Sequence, residues 1–191
     1  GIVRGLYKFR KATKTKGRPR IHLFGSEAIL REALKAQTIL DEQFGVAADV
    51  WSATSYSLLR REAQRCDRWN LLHPGETPKV PYVTQLLKDE PWPIVATSDY
   101  IKMLPDMIAP WVPAGLRALG TNGFGRSEAR AELRDWFEID HRYVALAALT
   151  ELAAIGQFDK GKLAAAVKTL GLNVEKPGPE DKVKGETLVE H

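Results

Sequence analysis

The chain has 191 residues, 44% hydrophobic and 27% charged, a balance that fits one globular domain and excludes fibrous and broadly disordered classes. No apolar run approaches the roughly 20 residues of a membrane helix, and the single cysteine, Cys66, excludes an internal disulfide or a multi-cysteine metal site. The net charge of +4 is unevenly placed: residues 1–20 hold eight of the 28 Lys and Arg and no acid, leaving 20 basic against 24 acidic residues in the body, so no basic face spreads over the fold as nucleic-acid binders require.

The chain opens Gly-Ile-Val-Arg without an initiator methionine or a basic-then-apolar leader, which reads as a cytosolic fragment or processed piece. Gly5 to Phe9 alternates apolar and polar residues, as a half-buried edge strand does. Lys11 to Arg20, with Lys-Gly-Arg-Pro inside it, reads as a charged hairpin-like connection to a strand at Ile21 to Phe24. Ile29, Ala33, Ala36, Leu40 and Phe44 then recur at helical spacing, and Gly45 stops that helix. Val46 to Trp51 is a second core strand.

A helix over about Ser55 to Trp69 is strongly charged on one side. His73 to Pro81 carries three prolines and must be a loop, because each removes a backbone donor and constrains its neighbour. Tyr82 to Leu87 is a short helix and Trp92 to Thr97 a third core strand. Ser98-Asp99 can cap the next helix, which Pro105 interrupts early. Leu116 to Leu119 is the fourth core strand, and Gly120 to Ser127 (Gly-Thr-Asn-Gly-Phe-Gly-Arg-Ser) is a strand-to-helix turn in which Ser127 can cap the helix from Glu128 to Phe137.

Asp140 can cap Tyr143 to Ile155, a segment apolar nearly all round that should be buried. Leu163, Ala164, Val167 and Leu170 make the stripe of a last helix, stopped by Gly171. From Glu175 onward Pro, Gly and charge predominate, which reads as a mobile tail. Strands alternating with helices imply βαβ crossovers and a mainly parallel sheet with helices on both faces.

Few residues qualify for chemistry. Gly120, Gly123 and Gly125 give G-x-x-G-x-G, which is not the dinucleotide spacing, so loop 120–127 is either an anion cradle at a helix start or a packing corner. Gly156 to Lys162 mimics a P-loop, but Leu163 stands where the magnesium-binding Ser or Thr must be, and a helix precedes it instead of a strand. His22, His73, His141 and His191 are scattered without metal-ligand spacing. His73, in the proline-rich loop, is either a general acid/base or an anchor for its loop. Cys66, beside Arg65 and Asp67 on a helix, lacks the setting of an activated thiolate. The carboxylate pairs Asp89–Glu90 and Asp135–Glu138 read as solvated faces.

Several runs together carry a family resemblance: Gly5-Leu6-Tyr7-Lys8, Leu23-Phe24-Gly25-Ser26, Val50-Trp51-Ser52-Ala53-Thr54-Ser55, Arg68-Trp69-Asn70-Leu71-Leu72-His73-Pro74, Glu76-Thr77-Pro78, Val80-Pro81-Tyr82, Thr97-Ser98-Asp99-Tyr100 and Gly120 to Ser127. The chain, over roughly residues 1–172, resembles the C-terminal domain of the homodimeric bacterial pyruvate dehydrogenase decarboxylating component, a transketolase-like thiamine diphosphate oxidoreductase. The resemblance implies a three-layer α/β/α domain with a mainly parallel sheet of about five strands, one of them antiparallel at an edge.

In that family thiamine diphosphate and magnesium sit in the other two domains, where pyruvate is decarboxylated and the two-carbon unit passes to the lipoyl group of the acetyltransferase component. The Gly-Asp-Gly that begins the family's diphosphate signature does not occur in this sequence. The implied role is therefore dimer and subunit assembly inside a cytoplasmic multienzyme complex of pyruvate metabolism. No catalytic, cofactor-binding or metal residue, no nucleic acid and no membrane is expected of this chain, which alone should be inactive. Residues 1–20 are expected as a basic arm of the same domain, 21–172 as the α/β domain and 173–191 as the tail. The alternative is a free-standing anion- or nucleotide-binding α/β module using loop 120–127.

Overall fold

A computed structural model describes residues 1–123 and 126–181. Five strands form one sheet: β1 (Leu6–Arg10), β2 (Arg20–Gly25), β3 (Ala47–Ala53), β4 (Ile94–Thr97) and β5 (Leu116–Leu119), in the order β1-β3-β2-β4-β5. β3, β2, β4 and β5 run parallel, and β1 closes one edge antiparallel to β3, with Leu6 opposite Ala53 and Lys8 opposite Trp51. This is the three-layer α/β/α arrangement with one antiparallel edge strand.

Alternation along the strands builds the two flanking layers. In β2, Ile21 and Leu23 face one side with Ala48, Val50 and Val95, covered by α1 (Leu30–Phe44), α6 (His141–Ala154) and α7 (Leu163–Thr169). Phe24 faces the other side with Leu6, Trp51, Ile94 and Ala96, covered by α2 (Tyr56–Leu72), α3 (Tyr82–Leu87) and α4 (Met103–Asp106). The apolar character of α6 is spent as the sequence demands: Val144, Ala145, Ala148, Leu149 and Leu152 are fully enclosed. Asp140 caps it by accepting from the N–H groups of Arg142 (2.8 Å) and Tyr143 (3.3 Å).

Ser55 caps α2, accepting from Leu58 N–H at 3.2 Å. Three other sequence expectations are corrected. The segment 11–20 is no hairpin, because β1 pairs with β3 and not with β2; it crosses the amino end of β3, where Ala12 N–H donates to Asp49 (2.8 Å). Helix α5 (Arg130–Trp136) begins at Arg130 behind an extended Ala129, too late for Ser127 to cap it. Ser98 caps no helix either: its Oγ accepts from Tyr100 N–H and from Ser26 Oγ, both at 3.1 Å, and ties the ends of β2 and β4 together.

The segment predicted as a tail starts against the domain. Lys176 donates to the carbonyls of Asp135 and Trp136, lies 4.8 Å from the Tyr143 ring centre and is 3.7 Å from the Glu138 carboxylate. Among the described residues no helix is long and apolar enough to cross a membrane.

Candidate functional site

The two ends of the sheet differ in chemistry. At the amino end, residues far apart in sequence converge where β2, β3 and β4 begin. His22 and Asp49 are register partners on adjacent strands, and Glu90 lies just before β4. One ligand atom from each of these three falls within 4.8 Å of the others, a grouping that the scatter of the histidines along the chain did not show.

The geometry does not suit a metal. His22 Nδ1 accepts from the Trp51 indole N–H at 3.0 Å, and Nε2–H donates to the Glu90 carbonyl at 2.9 Å. Both ring nitrogens are thus engaged. The Lys8 ammonium sits between the carboxylates of Asp49 (2.8 Å) and Glu90, 4.8 Å from the Trp51 ring centre, and supplies the positive charge itself. Arg20 adds a second cation, 3.4 Å from Asp49 and stacked 3.7 Å over Trp92.

Burial pushes the His22 pKa below its ordinary value and keeps the ring neutral. Burial alone would raise the Asp49 carboxyl, but hydrogen bonds from Lys8 and Ala12 N–H outweigh it and hold the group below its usual range. The cluster welds the edge strand and the crossing loop to the sheet. Much of the charge of the basic arm is engaged by the domain: Lys8 and Arg20 in this cluster, Arg18 and Lys14 on Asp41, Arg10 on Gln37 and the Leu34 carbonyl, and Arg4 over Tyr82 at 3.6 Å.

The other residues singled out in the sequence have structural occupations. His73 stacks on Trp69 with ring centres 4.5 Å apart, and its Nδ1–H donates to the Trp69 carbonyl at 2.7 Å. The Asn70 side chain exchanges two hydrogen bonds with the Lys79 backbone (2.7 and 2.9 Å), so His73 to Pro81 is a pinned loop. Cys66 is buried, and burial together with Glu62 and Asp67 pushes its thiol pKa up, away from nucleophilic use. His141 is held by the buried Glu32 carboxylate, which accepts from its backbone N–H (3.1 Å) and its Nδ1 (2.8 Å), and His191 lies outside the described residues. Three of the carboxylates expected on solvated faces are paired, Glu90 with Lys8, Asp135 with Arg142 and Glu138 with Lys176. Gly156 to Lys162 is a helix-to-helix turn in which Asp159 accepts from Gly161 N–H (2.9 Å).

The carboxyl end of the parallel strands is where open α/β sheets place ligands, at the point where strand order reverses. In this chain that point lies between β2 and β4. Beside it is a cleft of about 360 Å³ lined by Ala28, Ile29, Leu133, Phe137 and Ile139, with Asp99, Thr121, Arg130 and Arg134 at its polar side. Arg134 is engaged by Glu32 at 3.0 Å, and the walls are mainly apolar. The glycine loop borders this end. A Cβ on Gly120 would lie 2.4 Å from the Tyr100 carbonyl oxygen, so the missing side chain is needed for contact with the loop after β4. Phe124 and Gly125, inside the G-x-x-G-x-G motif, lie outside the described residues.

An α/β/α sheet of this order, with an antiparallel first strand, narrows the class. Residues 5–140 match the transketolase-like TK C-terminal domain, and the chain belongs to that family. Within it the chain is similar to pyruvate dehydrogenase E1 components: 44% identical over 180 residues to that of Escherichia coli K12, 47% over 180 to that of Haemophilus influenzae, and 41% over 182 to that of Pseudomonas aeruginosa. Each match covers 94–95% of this chain and 20% of the relative. The chain thus spans one fifth of the length of the curated relatives it matches.

Proposed function

We propose that this chain is the C-terminal, non-catalytic domain of a pyruvate dehydrogenase decarboxylating component, and that its work is to complete the subunit and support a homodimer. The observation that carries the reading is the combination of 41–47% identity along nearly the whole chain with coverage of only one fifth of each relative. Residues 1–172, arm 1–20 included, are taken as the domain, followed by a C-terminal segment that Lys176 ties back to the Asp135 and Trp136 carbonyls.

Thiamine diphosphate, which the relatives' class implies, finds no open cradle at Gly25 or Gly120, two of the described glycines at the carboxyl end of the sheet. A diphosphate cradle needs glycines whose open side faces the ligand. In this chain the open side of Gly120 meets the Tyr100 carbonyl, and that of Gly25 meets Leu30 Cα at 2.7 Å. The cofactor and its magnesium are therefore assigned to the remaining domains of the full-length protein. Transfer to the acetyltransferase component and residence in a cytoplasmic complex belong to the same reading. The same packing counts against a free-standing anion- or nucleotide-binding module at loop 120–127.

The test is a truncation. Full-length protein should sediment as a dimer and reduce NAD with pyruvate once the partner components are added. Protein ending before Gly1 should lose the dimer or the turnover. A truncated protein that keeps both would remove the proposed role.

A further inference from the structure

Helix α2 carries a charge pattern that the packing of the domain does not use. Its buried side is Tyr56, Leu59, Ala63 and Cys66. On the opposite side Arg60, Arg61, Arg65, Arg68, Leu71 and Leu72 fall within an arc of about 140° at 3.6 residues per turn, and all six are exposed. Ser57 and Gln64 share that arc, and no acid does. The two acids of the helix lie just outside it and are occupied: Glu62 accepts from Tyr82 N–H and Asp67 from the Trp111 indole N–H, both at 2.9 Å.

The four arginines are left without counter-charge. Among the described residues, the arginine ion pairs are made by Arg18, Arg20, Arg117, Arg126, Arg134 and Arg142. Arg60 instead meets the Met107 thioether, at 3.3 Å. Like charges three and four residues apart, as Arg65 with Arg68 and Arg61 with Arg65, destabilise a helix. Beyond residue 20 the chain has 24 acids against 20 bases, yet none of those acids is set on this face.

A cleft of about 320 Å³ opens beside the arginines, lined by Arg65, Arg68 and Lys79 with Trp69, Cys66 and the already bonded Glu62. Lys79 is fixed there. Its backbone exchanges two hydrogen bonds with the Asn70 side chain, and its ammonium lies 4.3 Å from the Trp69 ring centre. Leu71 (79% exposed) and Leu72 (54%) end the arginine stripe, and Val80 (45%) follows Lys79.

We propose that this face of α2 is a docking site for an acidic segment of another protein, which sets carboxylates on the arginines, one of them in the cleft, and apolar side chains on Leu71, Leu72 and Val80. Charge identifies the occupant: a guanidinium presents a planar fork that takes a carboxylate through two parallel bonds. The segment spans about 18 Å, the rise from Arg60 to Leu72 at 1.5 Å per residue. The exposed apolar side chains favour protein over nucleic acid, whose phosphates offer them no contact. The apolar side of α2 is spent in the core, so the helix cannot lie in a lipid surface. The site is independent of the activity proposed above.

The test is fluorescence anisotropy on the full-length protein, with a labelled helical peptide carrying Glu along one face and two Leu at its end. The Glu peptide should bind at least about tenfold more tightly than the same peptide with Gln for each Glu, and its affinity should fall as salt rises. That comparison needs no variant. Arg65→Ala combined with Arg68→Ala should weaken the Glu peptide about tenfold with an unchanged melting curve, because both side chains are exposed. Lys162→Ala combined with Lys168→Ala, on the helical layer across the sheet, should leave the affinity unchanged. Failure of the Glu peptide to bind, or binding no tighter than that of the Gln peptide, overturns the proposal. Equal losses in the two double variants also overturn it, since they would mean diffuse charge attraction. Tighter binding of labelled oligo-dT than of the Glu peptide would assign the face to nucleic acid and overturn it as well.

Discussion

Replacing Glu32 is the sharpest probe of how this domain holds together. Glu32 lies on α1 at 2% exposure, and its carboxylate accepts from Arg134 Nη1 (3.0 Å), Lys35 Nζ (3.0 Å), His141 N–H (3.1 Å) and His141 Nδ1 (2.8 Å). One side chain therefore fastens α1 to α5 and supplies a partner to the first N–H of α6. The Lys35 bond is largely exposed and contributes little. The Arg134 and His141 bonds reach groups of about 21–30% exposure. A bond to a charged group is worth about 1.5–3 kcal/mol, and a stranded N–H costs about 1–3.

Allowing for rescue of the partners by water, Glu32→Ala should cost about 3 kcal/mol, and Glu32→Gln about half of that. For a chain of this size, 3 kcal/mol corresponds to roughly 10 °C in Tm. Burial alone would raise the Glu32 pKa, but the bonds from His141 and Lys35 outweigh it and hold it below the ordinary value. A depressed carboxylate stabilises fully above its unfolded pKa of about 4.3, and the contribution is lost as pH falls through the folded value. Urea denaturation followed by tryptophan fluorescence should show a gap between wild type and Glu32→Gln that is steady from pH 8 to pH 5 and closes below about pH 4. A gap under about 0.5 kcal/mol at pH 7, or one that widens on acidification, would refute the reasoning.

Other outcomes follow from the same structure. Gly120→Ala drives a methyl into the Tyr100 carbonyl and should cost about 1–3 kcal/mol, whereas a neutral effect on Tm would reopen the anion-cradle reading. Tyr56 is buried with a hydroxyl that has no hydrogen-bond partner among the described residues, so Tyr56→Phe should be neutral or stabilise by about 1 kcal/mol in urea denaturation; a clear loss would mean that the hydroxyl is used. His22, held neutral with a lowered pKa, binds fewer protons folded than unfolded. Stability should therefore fall as pH drops below about 6.5. His22→Gln should flatten that slope, and an unchanged slope would contradict the assignment.

Much of the fold is legible in the sequence because its periods are local. The alternation in Ile21 to Phe24, the four- and three-residue spacing of α1, and the all-round apolar face of α6 each encode burial on a known face. Pairing order is not local. Residues 5–9 announce a strand, but nothing near them says that β3 rather than β2 will be the neighbour, and the hairpin expectation failed on that point. The ionic cluster is hidden for the same reason: Lys8 lies 41 residues from Asp49 and 82 from Glu90.

Charged residues read as solvated when judged by their neighbours in sequence, and Glu90 and Asp135 do keep part of that exposure (30% and 42%), but the ion pairs they make with distant Lys8 and Arg142 are invisible locally.

The central claim is that this chain completes an enzyme whose chemistry lies elsewhere in the full-length protein. Its most direct test compares carbon dioxide release from pyruvate, with thiamine diphosphate and magnesium, by full-length protein and by residues 1–191 alone. The account predicts turnover by the full-length protein and none by the isolated chain; release by the isolated chain would contradict it.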